Sequence, residues 1–419
     1  MALAPPLSES LAADLPGLVS LYEDFHRSPE LSMQEHRTAT AIEETLSSFG
    51  LSPIRLGGTG VVAVIENGAG PVVAYRADTD GLPIEEKTGL PYSSSATGTL
   101  GDGTEVRVMH GCGHDTHITV GLETAKLLAE HRGLWSGTAV MIFQPGEEVS
   151  AGAAAMLADG IWDTVPKPEA IYGQHVWPGV AGTVNVSIGT AMAMADSMEV
   201  IIHGRQAHGS QPENSIDPIV LGAYMITRLQ SIVSREISGR DMAVLTIGRF
   251  NGGLKENIIP AEARFTINLR TFEEKIREQV LEAIVRIITA EAEASGAPAP
   301  EIRKLYDFPR CYNDPALAQA LVDNLGVELG SENVHETPPV TGSEDFGRFG
   351  DAIGVPYVFW FFGGYSAEKF HGEEPVHGNH SPHFAPDSVP TTLETGVRAA
   401  LTALLSHLGS LDEGFAGHA

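Results

Sequence analysis

Nine consecutive residues, "MHGCGHDTH" (109–117), gather three histidines, an aspartate and one of only two cysteines in a chain of 419 residues. A cysteine thiolate and a neutral imidazole are both ligands that a divalent cation such as zinc accepts, at about 2.0–2.3 Å. On a helix the side chains of Cys112 and His114 would diverge, but in a bent loop both can reach one ion. The C-x-H spacing matches no closed structural zinc motif, so taken alone it also fits a loop thiol beside unrelated histidines.

A second cluster lies in "QPGEE" (144–148), where a β-rich run "TAVMIFQ" (138–144) ends and Pro145-Gly146 turns the chain. Adjacent carboxylates at a strand end point in different directions. One of Glu147 and Glu148 can therefore ligate a metal while the other faces its water, a division of labour that suits hydrolysis. The competing reading is an acidic helix N-terminus, favoured by the macrodipole, because an Ala-rich helical stretch follows. His175 in "IYGQHVWPG" and His380 in "HGNHSPHF" are each compatible with a satisfied structural histidine. Their weight comes from convergence, since Cys112, His114, Glu148, His175 and His380 all fall at ends of elements, where open α/β sheets place their ligands. Five such groups can hold two metal ions with a water between them.

The elements that must position them follow from periodicity. "EHRTATAIEETLSSFG" reads as a helix ending at Gly50, and "VVAVIE" (61–66) and "VVAYRAD" (72–78) read as strands with "NGAGP" as the turn between them. A helix from about Asp115 to Arg132 precedes the strand 138–144, so strands and helices alternate as in an α/β layer. Between about 190 and 306 the order changes to strand 197–204, helix 214–235, strands 242–250 and 262–270, helix 272–294 and strand 301–306. That β-α-β-β-α-β order is ferredoxin-like. The aromatic run "YVFWFFGGY" (357–365) reads as a buried core strand in preference to the wall of an acyl pocket. A helix from about Pro390 to His407 closes the pattern. The expected organisation is a catalytic domain built from residues 1–190 and 307–419, with 191–306 inserted as a second domain.

Composition narrows the functions. With 54 acidic against 26 basic residues the formal charge is −28, which repels phosphate backbones and anionic lipid surfaces, so neither a nucleic acid nor a membrane is an expected partner. No apolar run approaches the roughly 18–20 residues of a bilayer span. Two cysteines are too few for a disulfide framework, and the N-terminal stretch lacks a basic n-region and an apolar h-region, so the expected compartment is the cytoplasm.

The motifs "MHGCGHDTH", "QPGEE", "GQHV", "HGSQPENSIDPI", "NIIPAEARFTINLR", "TGSEDF" and "GNHSPHFAPD" occur in the order found in metal-dependent aminoacylases and N-acyl-amino-acid amidohydrolases. Over about Leu21 to Leu405 the chain resembles the branch of hippurate hydrolase, the plant auxin-conjugate hydrolases and the bacterial acyl-glutamine aminoacylases. The resemblance implies a two-domain metallopeptidase-like fold whose inserted ferredoxin-like domain serves as lid and dimerisation surface. It implies two divalent metals on Cys112, His114, Glu148, His175 and His380, zinc first because of the soft sulfur, with manganese and nickel as alternatives. Glu147 matches the general base, His208 in "GRQAHGSQPE" an oxyanion donor supplied across a dimer interface, and Asn257 and Arg270 the grip on the substrate's α-carboxylate. Asp80 and Asp115 lie beside these residues, where they can orient imidazoles or tune the metals.

The implied reaction releases a carboxylate and a free amino acid from a small N-acyl-amino acid. A dipeptidase or carboxypeptidase would use the same site. Where related sequences commonly carry "PH", this chain has Pro212-Glu213, so a role for that second histidine is absent or moved. Two further readings are weaker. Cys112 as a nucleophile leaves Glu147, Glu148, His175 and His380 without a task, and a non-catalytic binding protein would not need the base.

Overall fold

The computed structural model describes residues 2–372 and 375–409. In chain order come α1 (Pro5–Arg27), α2 (His36–Ser48), β1 (Ile54–Leu56), β2 (Gly60–Asn67), β3 (Val72–Asp78), α3 (His114–Glu130), β4 (Gly137–Gln144), β5 (Ala170–Val180) and β6 (Val184–Val186). Then follow β7 (Met194–His203), α4 (Pro218–Ser231), β8 (Ala243–Gly252), β9 (Glu262–Thr271), α5 (Glu274–Ala294) and β10 (Glu301–Phe308). The last are α6 (Pro315–Leu329), β11 (Val334–Glu336), β12 (Tyr357–Tyr365) and α7 (Val389–Leu405). Residues Met192–Cys311 with Pro339–Glu344 form one compact unit, and the other described residues form a second.

The larger unit is built on an eight-stranded mixed sheet in the order β1-β2-β4-β3-β5-β12-β6-β11. Strands β3, β4 and β5 run parallel, as do β5 and β12. The turn after β2 does not make a hairpin, because β4 arrives through α3 and inserts between β2 and β3. Two-residue periodicity sorts the side chains. Val73, Tyr75 and Ala77, with Ala139, Met141, Phe143, Val358, Trp360 and Phe362, pack in one core with Leu11 and Leu18 of α1, Ile118 and Leu122 of α3 and Val397 and Leu401 of α7. The alternate positions include Arg76, Asp78, Gln144 and His175, all buried, so the opposite face of the same strands carries charge and leads to the candidate ligands. Every residue of Tyr357–Tyr365 is buried, as a central strand with both faces covered requires.

The smaller unit is an antiparallel four-stranded sheet in the order β8-β9-β7-β10, with α4 and α5 as the helices of a ferredoxin-like arrangement. Strand β9 alternates between half-buried and buried residues, and its inner Phe265, Ile267 and Leu269 meet Leu221, Met225 and Leu229 of α4 and Val280, Ile284 and Ile287 of α5. The start of α4 is set by Pro218 and by Asp217, whose side chain accepts the Ile219 and Val220 N–H groups; it therefore begins later than residue 214. No described helix is long and apolar enough to cross a membrane.

Candidate metal centre

Three parallel strands deliver most of the site at their C-terminal ends, where such sheets leave a crevice. Asp80 follows β3, Glu147 and Glu148 follow β4, and His175 lies in β5. Cys112 and His114 come from the turn into α3, which Gly113 makes possible with φ 86°; a Cβ there would lie 2.4 Å from Val176. His380 sits in the loop after β12 with φ 68°, a left-handed conformation uncommon for a side-chain-bearing residue.

These groups converge. Ligand atoms of Cys112, Glu148 and His380 lie within 4.8 Å of one another, and so do those of His114, Glu147 and Glu148. The Cys112 Sγ is 3.3 Å from His175 Nε2, and Glu148 Oε1 is 3.3 Å from His380 Nε2 and 3.9 Å from His114 Nε2. The tautomers follow from the outer contacts. His175 Nδ1 donates to the Val176 carbonyl at 2.6 Å and His114 Nδ1 to Asp80 Oδ1 at 3.1 Å, so both Nε2 lone pairs are left for the interior. His114 Nε2 is buried with no hydrogen-bond partner.

That donor set suits divalent cations. Burial, then Glu148 and Glu147, push the Cys112 thiol well above its usual range, and although burial opposes a charged His114, Asp78 and Asp80 hold its pKa up to about 10. Left to itself the cluster gathers negative charge and takes up protons to offset it. A cation of charge two would fill that role and would convert the thiol to a thiolate ligand.

Supporting contacts fix the loops. Asp80 accepts the Glu147 and Glu148 N–H groups at 3.2 and 3.1 Å and the Ser32 hydroxyl at 2.6 Å while holding His114. Asn379 Nδ2 donates to the Cys112 carbonyl at 2.9 Å and the Val176 carbonyl at 3.2 Å, and the His380 N–H donates to the Gly111 carbonyl at 2.7 Å, so three ligand-bearing segments are tied together. In the turn after β4, a Cβ on Gly152 would lie 1.5 Å from the Pro145 carbonyl oxygen.

His117 stands close to the ligands but has another task. Its Nδ1 hydrogen-bonds Asp78 and its Nε2 accepts the Val176 N–H at 2.8 Å, so neither nitrogen is left for a metal. Asp78 also pairs with the fully buried Arg76 at 2.8 Å, and Arg76 reaches Gln144 at 2.8 Å and Asp345 at 3.3 Å. Gln144 and the Ala153 N–H donate to Asp345, whose carboxyl is pushed up to about 6 by burial and lies within 4.8 Å of Glu147. Arg76, His117 and Asn379 lie outside the candidate residues that the sequence motifs single out. The usable signals were a charged residue inside the apolar run "VVAYRAD" and a histidine three positions after His114, one turn along the same helix face.

Asp115 orients a different imidazole from Asp80. It pairs at 2.6 Å with the buried His26 Nδ1, whose Nε2 meets Glu86 at 3.1 Å. Burial works against a charged His26, but Asp115 and Glu86 outweigh it and raise its pKa to about 9, while both carboxyls are lowered. His26 thus stabilises the fold fully below its unfolded pKa near 6.5, and that stabilisation, on the order of 3 kcal/mol, is lost as pH rises through 9. The carboxylates contribute above their unfolded values near 4 and lose it as pH falls. We expect the urea midpoint to decline between pH 7 and 9 in the parent protein and to stay flatter in a His26→Gln variant.

The remaining residues belong to the smaller unit. His208 is exposed in the two-residue strand Ala207–His208, paired with Ile258–Ile259; its Nδ1 accepts the Ser210 N–H at 3.2 Å, which leaves the proton on Nε2. Asn257 is its neighbour, bonded through its carbonyl to the Gly209 N–H at 2.8 Å. Arg270, near the end of β9, donates to Asn268 at 2.9 Å and the Ser343 hydroxyl at 2.6 Å, and no carboxylate among the described residues pairs with it.

Residues 74–402 match Peptidase family M20/M25/M40. The chain is 37% identical over 362 residues to the N-acetylcysteine deacetylase of Bacillus subtilis (strain 168), covering 84% of this chain and 90% of the relative. It is 34% identical to the IAA-amino acid hydrolase ILR1-like 4 of Arabidopsis thaliana over 88% of this chain and 80% of the relative. Among solved structures, the Bacillus subtilis YXEP protein, named a dinuclear metal binding peptidase from the M20 family, superposes with a TM-score of 0.75 at 31% identity, over 94% of this chain and 99% of that one. Sequence match, fold and the convergent donors agree, and the chain belongs to Peptidase family M20/M25/M40.

Proposed function

We propose that the chain hydrolyses the amide bond of N-acyl-amino acids, releasing a carboxylate and a free amino acid, with two divalent cations held by Cys112, His114, Glu148, His175 and His380. The chain is a metal-dependent amidohydrolase of the M20 family. The observation that carries the finer reading is the placement of Glu147 beside those donors, buried, with its backbone and that of Glu148 on one aspartate. Relatives named for N-acetylcysteine and for an IAA-amino acid conjugate support an acyl group on nitrogen and an amino acid as leaving group. Zinc stands first by the softness of Cys112, before manganese and nickel.

Divalent cations held by Cys112, His114, Glu148, His175 and His380 would supply an acidified water and a polarised amide carbonyl. Glu147 takes up the proton of the attacking water and delivers it to the amide nitrogen as the C–N bond breaks. Asp80 holds the backbone of Glu147 and Glu148 and keeps His114 in its tautomer. Arg270 supplies a guanidinium for the α-carboxylate, with Asn257 as a further polar contact. His208 donates from Nε2 to the oxyanion, an interaction worth about 10²–10³ in turnover.

One feature of the smaller unit supports a homodimer as the active form. His208 and Asn257 lie beyond the Glu262 end of β9 and Arg270 near the other, roughly 26 Å apart at about 3.3 Å per residue. One small substrate cannot touch both ends of one sheet, whereas a second copy can supply the His208 end. A strictly monomeric form would then lose turnover. Cys112 and Cys311 form no disulfide among the described residues.

The test is release of free amino acid from N-acetyl, N-benzoyl and long-chain acyl amino acids alongside dipeptides, with chelated enzyme before and after zinc or manganese is restored. We expect activity to vanish on chelation, to return with metal and to favour the acyl series. Preference for dipeptides would support the peptidase reading. Turnover that survives verified metal removal would sink the dinuclear mechanism and reopen Cys112 as a nucleophile.

A further inference from the structure

Glu35 stands at the residue before α2 and is completely buried, yet its side chain does not cap that helix. An acceptor at the N-cap ordinarily serves the N–H groups of its own first turn. Here Oε1 instead accepts the N–H of Gly146, 111 residues away, at 2.8 Å, together with the Met33 N–H at 2.7 Å, while Oε2 accepts the Thr59 hydroxyl at 2.5 Å. All three partners are neutral. Burying a carboxylate without a cation is costly, and these three hydrogen bonds are what hold it in place.

The surrounding segment makes the same approach. Ser32 bonds Asp80 at 2.6 Å, and Met33 takes φ 62°, a strained conformation for a side-chain-bearing residue, with its sulfur against Gly146, where a Cβ would come within 2.4 Å. Residues 32–35 thus wrap the turn that carries Glu147 and Glu148. The Gly146 N–H immediately precedes Glu147 and, fixed at that point, leaves the Glu147 backbone little freedom, since Asp80 holds the next N–H.

We propose that Glu35 is a positioning residue for the reaction: by accepting the Gly146 N–H it holds the turn 145–148 so that the Glu147 carboxylate stays where it moves the proton. It rests on Glu147 being the base. Glu35 touches neither substrate nor ligand, and its effect falls on kcat and not on the affinity for substrate or metal.

The test compares Glu35→Ala, which removes the acceptor, with Glu35→Gln, whose amide oxygen still accepts the Gly146 N–H while its NH2 group faces Thr59. Read-outs are kcat, KM, bound metal, and amide hydrogen exchange across 144–152 in the metal-free protein. Expected for Glu35→Ala is a kcat lower by about 10–100-fold, as for groups that orient a metal site, with KM and metal content within about twofold and faster exchange at Gly146. Glu35→Gln is expected to keep both kcat and protection within about threefold. A Glu35→Ala protein with normal kcat or unchanged exchange overturns the proposal, as does Glu35→Gln falling as far as Glu35→Ala or Glu35→Ala losing its metal. If Glu35→Ala does not fold, Glu35→Asp, with its carboxylate withdrawn by one methylene, takes its place with the same expected losses. Glu147→Gln run in parallel separates the two ideas. Activity retained there removes the base assignment and the Glu35 proposal with it, whereas a dead Glu147→Gln beside a normal Glu35→Ala removes the Glu35 proposal alone.

Discussion

Glu147→Gln lowers kcat by about 10²–10⁴-fold, the range for loss of a positioned acid-base group, and leaves KM and bound metal near their parent values. The size follows from the two transfers assigned to one carboxylate, from water and then to the leaving nitrogen. The selectivity follows from the geometry. Glu147 lies within 4.8 Å of His114 and Glu148, but the lone pairs left by the tautomers belong to His114 and His175, and an amide at Glu147 keeps the backbone bond to Asp80. Metal content by mass spectrometry and initial rates on one acyl substrate decide it. Loss of metal together with loss of rate would make Glu147 a ligand instead.

Arg76→Met destabilises the larger unit by about 3–5 kcal/mol, the cost of breaking a buried ion pair by removing one partner. The guanidinium is fully buried and holds Asp78, Gln144 and Asp345, so its loss leaves the two buried carboxylates without their guanidinium. Burial opposes a charged Asp78, but His114 and Arg76 keep it well below the usual carboxylate range, which ties the arginine to His114 of the candidate site. Urea unfolding of the metal-free protein isolates this effect from ligand loss. A triple variant that adds Asp78→Asn and Asp345→Asn is expected to recover part of the stability, because the stranded charges are gone. Equal stability of parent and Arg76→Met would mean that water reaches the pair.

Sequence periodicity captured the layer and the inserted sheet because both rest on residues with unambiguous patterns. The alternation in "EARFTINLR" predicts β9 within one residue of its Glu262–Thr271 span, whereas the helix expected from residue 214 begins only at Pro218. Helices α1 and α6 lie outside the elements that the sequence periodicity singles out. The first carries Pro16 and interspersed acids, and the second, "PALAQALVDNLGVEL", holds its place through burial of Ala318, Leu321 and Leu325 that only the folded sheet supplies. Candidate ligands stood out by residue type at element ends. Their supports did not, since Asn379, Glu35 and Arg76 act through contacts spanning 267, 111 and 269 residues, which no local pattern encodes.

Asn379, which ties the Cys112 and Val176 carbonyls to the His380 loop, also sets an order of events during synthesis. Its 267-residue separation from Cys112 takes a ribosome about 13–53 s at ~5–20 residues per second. Throughout that time the nascent chain already carries the thiol and, later, the glutamates and His175, but lacks both the knot and the last imidazole. The ferredoxin-like unit, with its own apolar core, can complete itself in the interval. A ribosome-held chain that stops before His380 is therefore expected to expose Cys112 to alkylation, and release of the finished chain to close it.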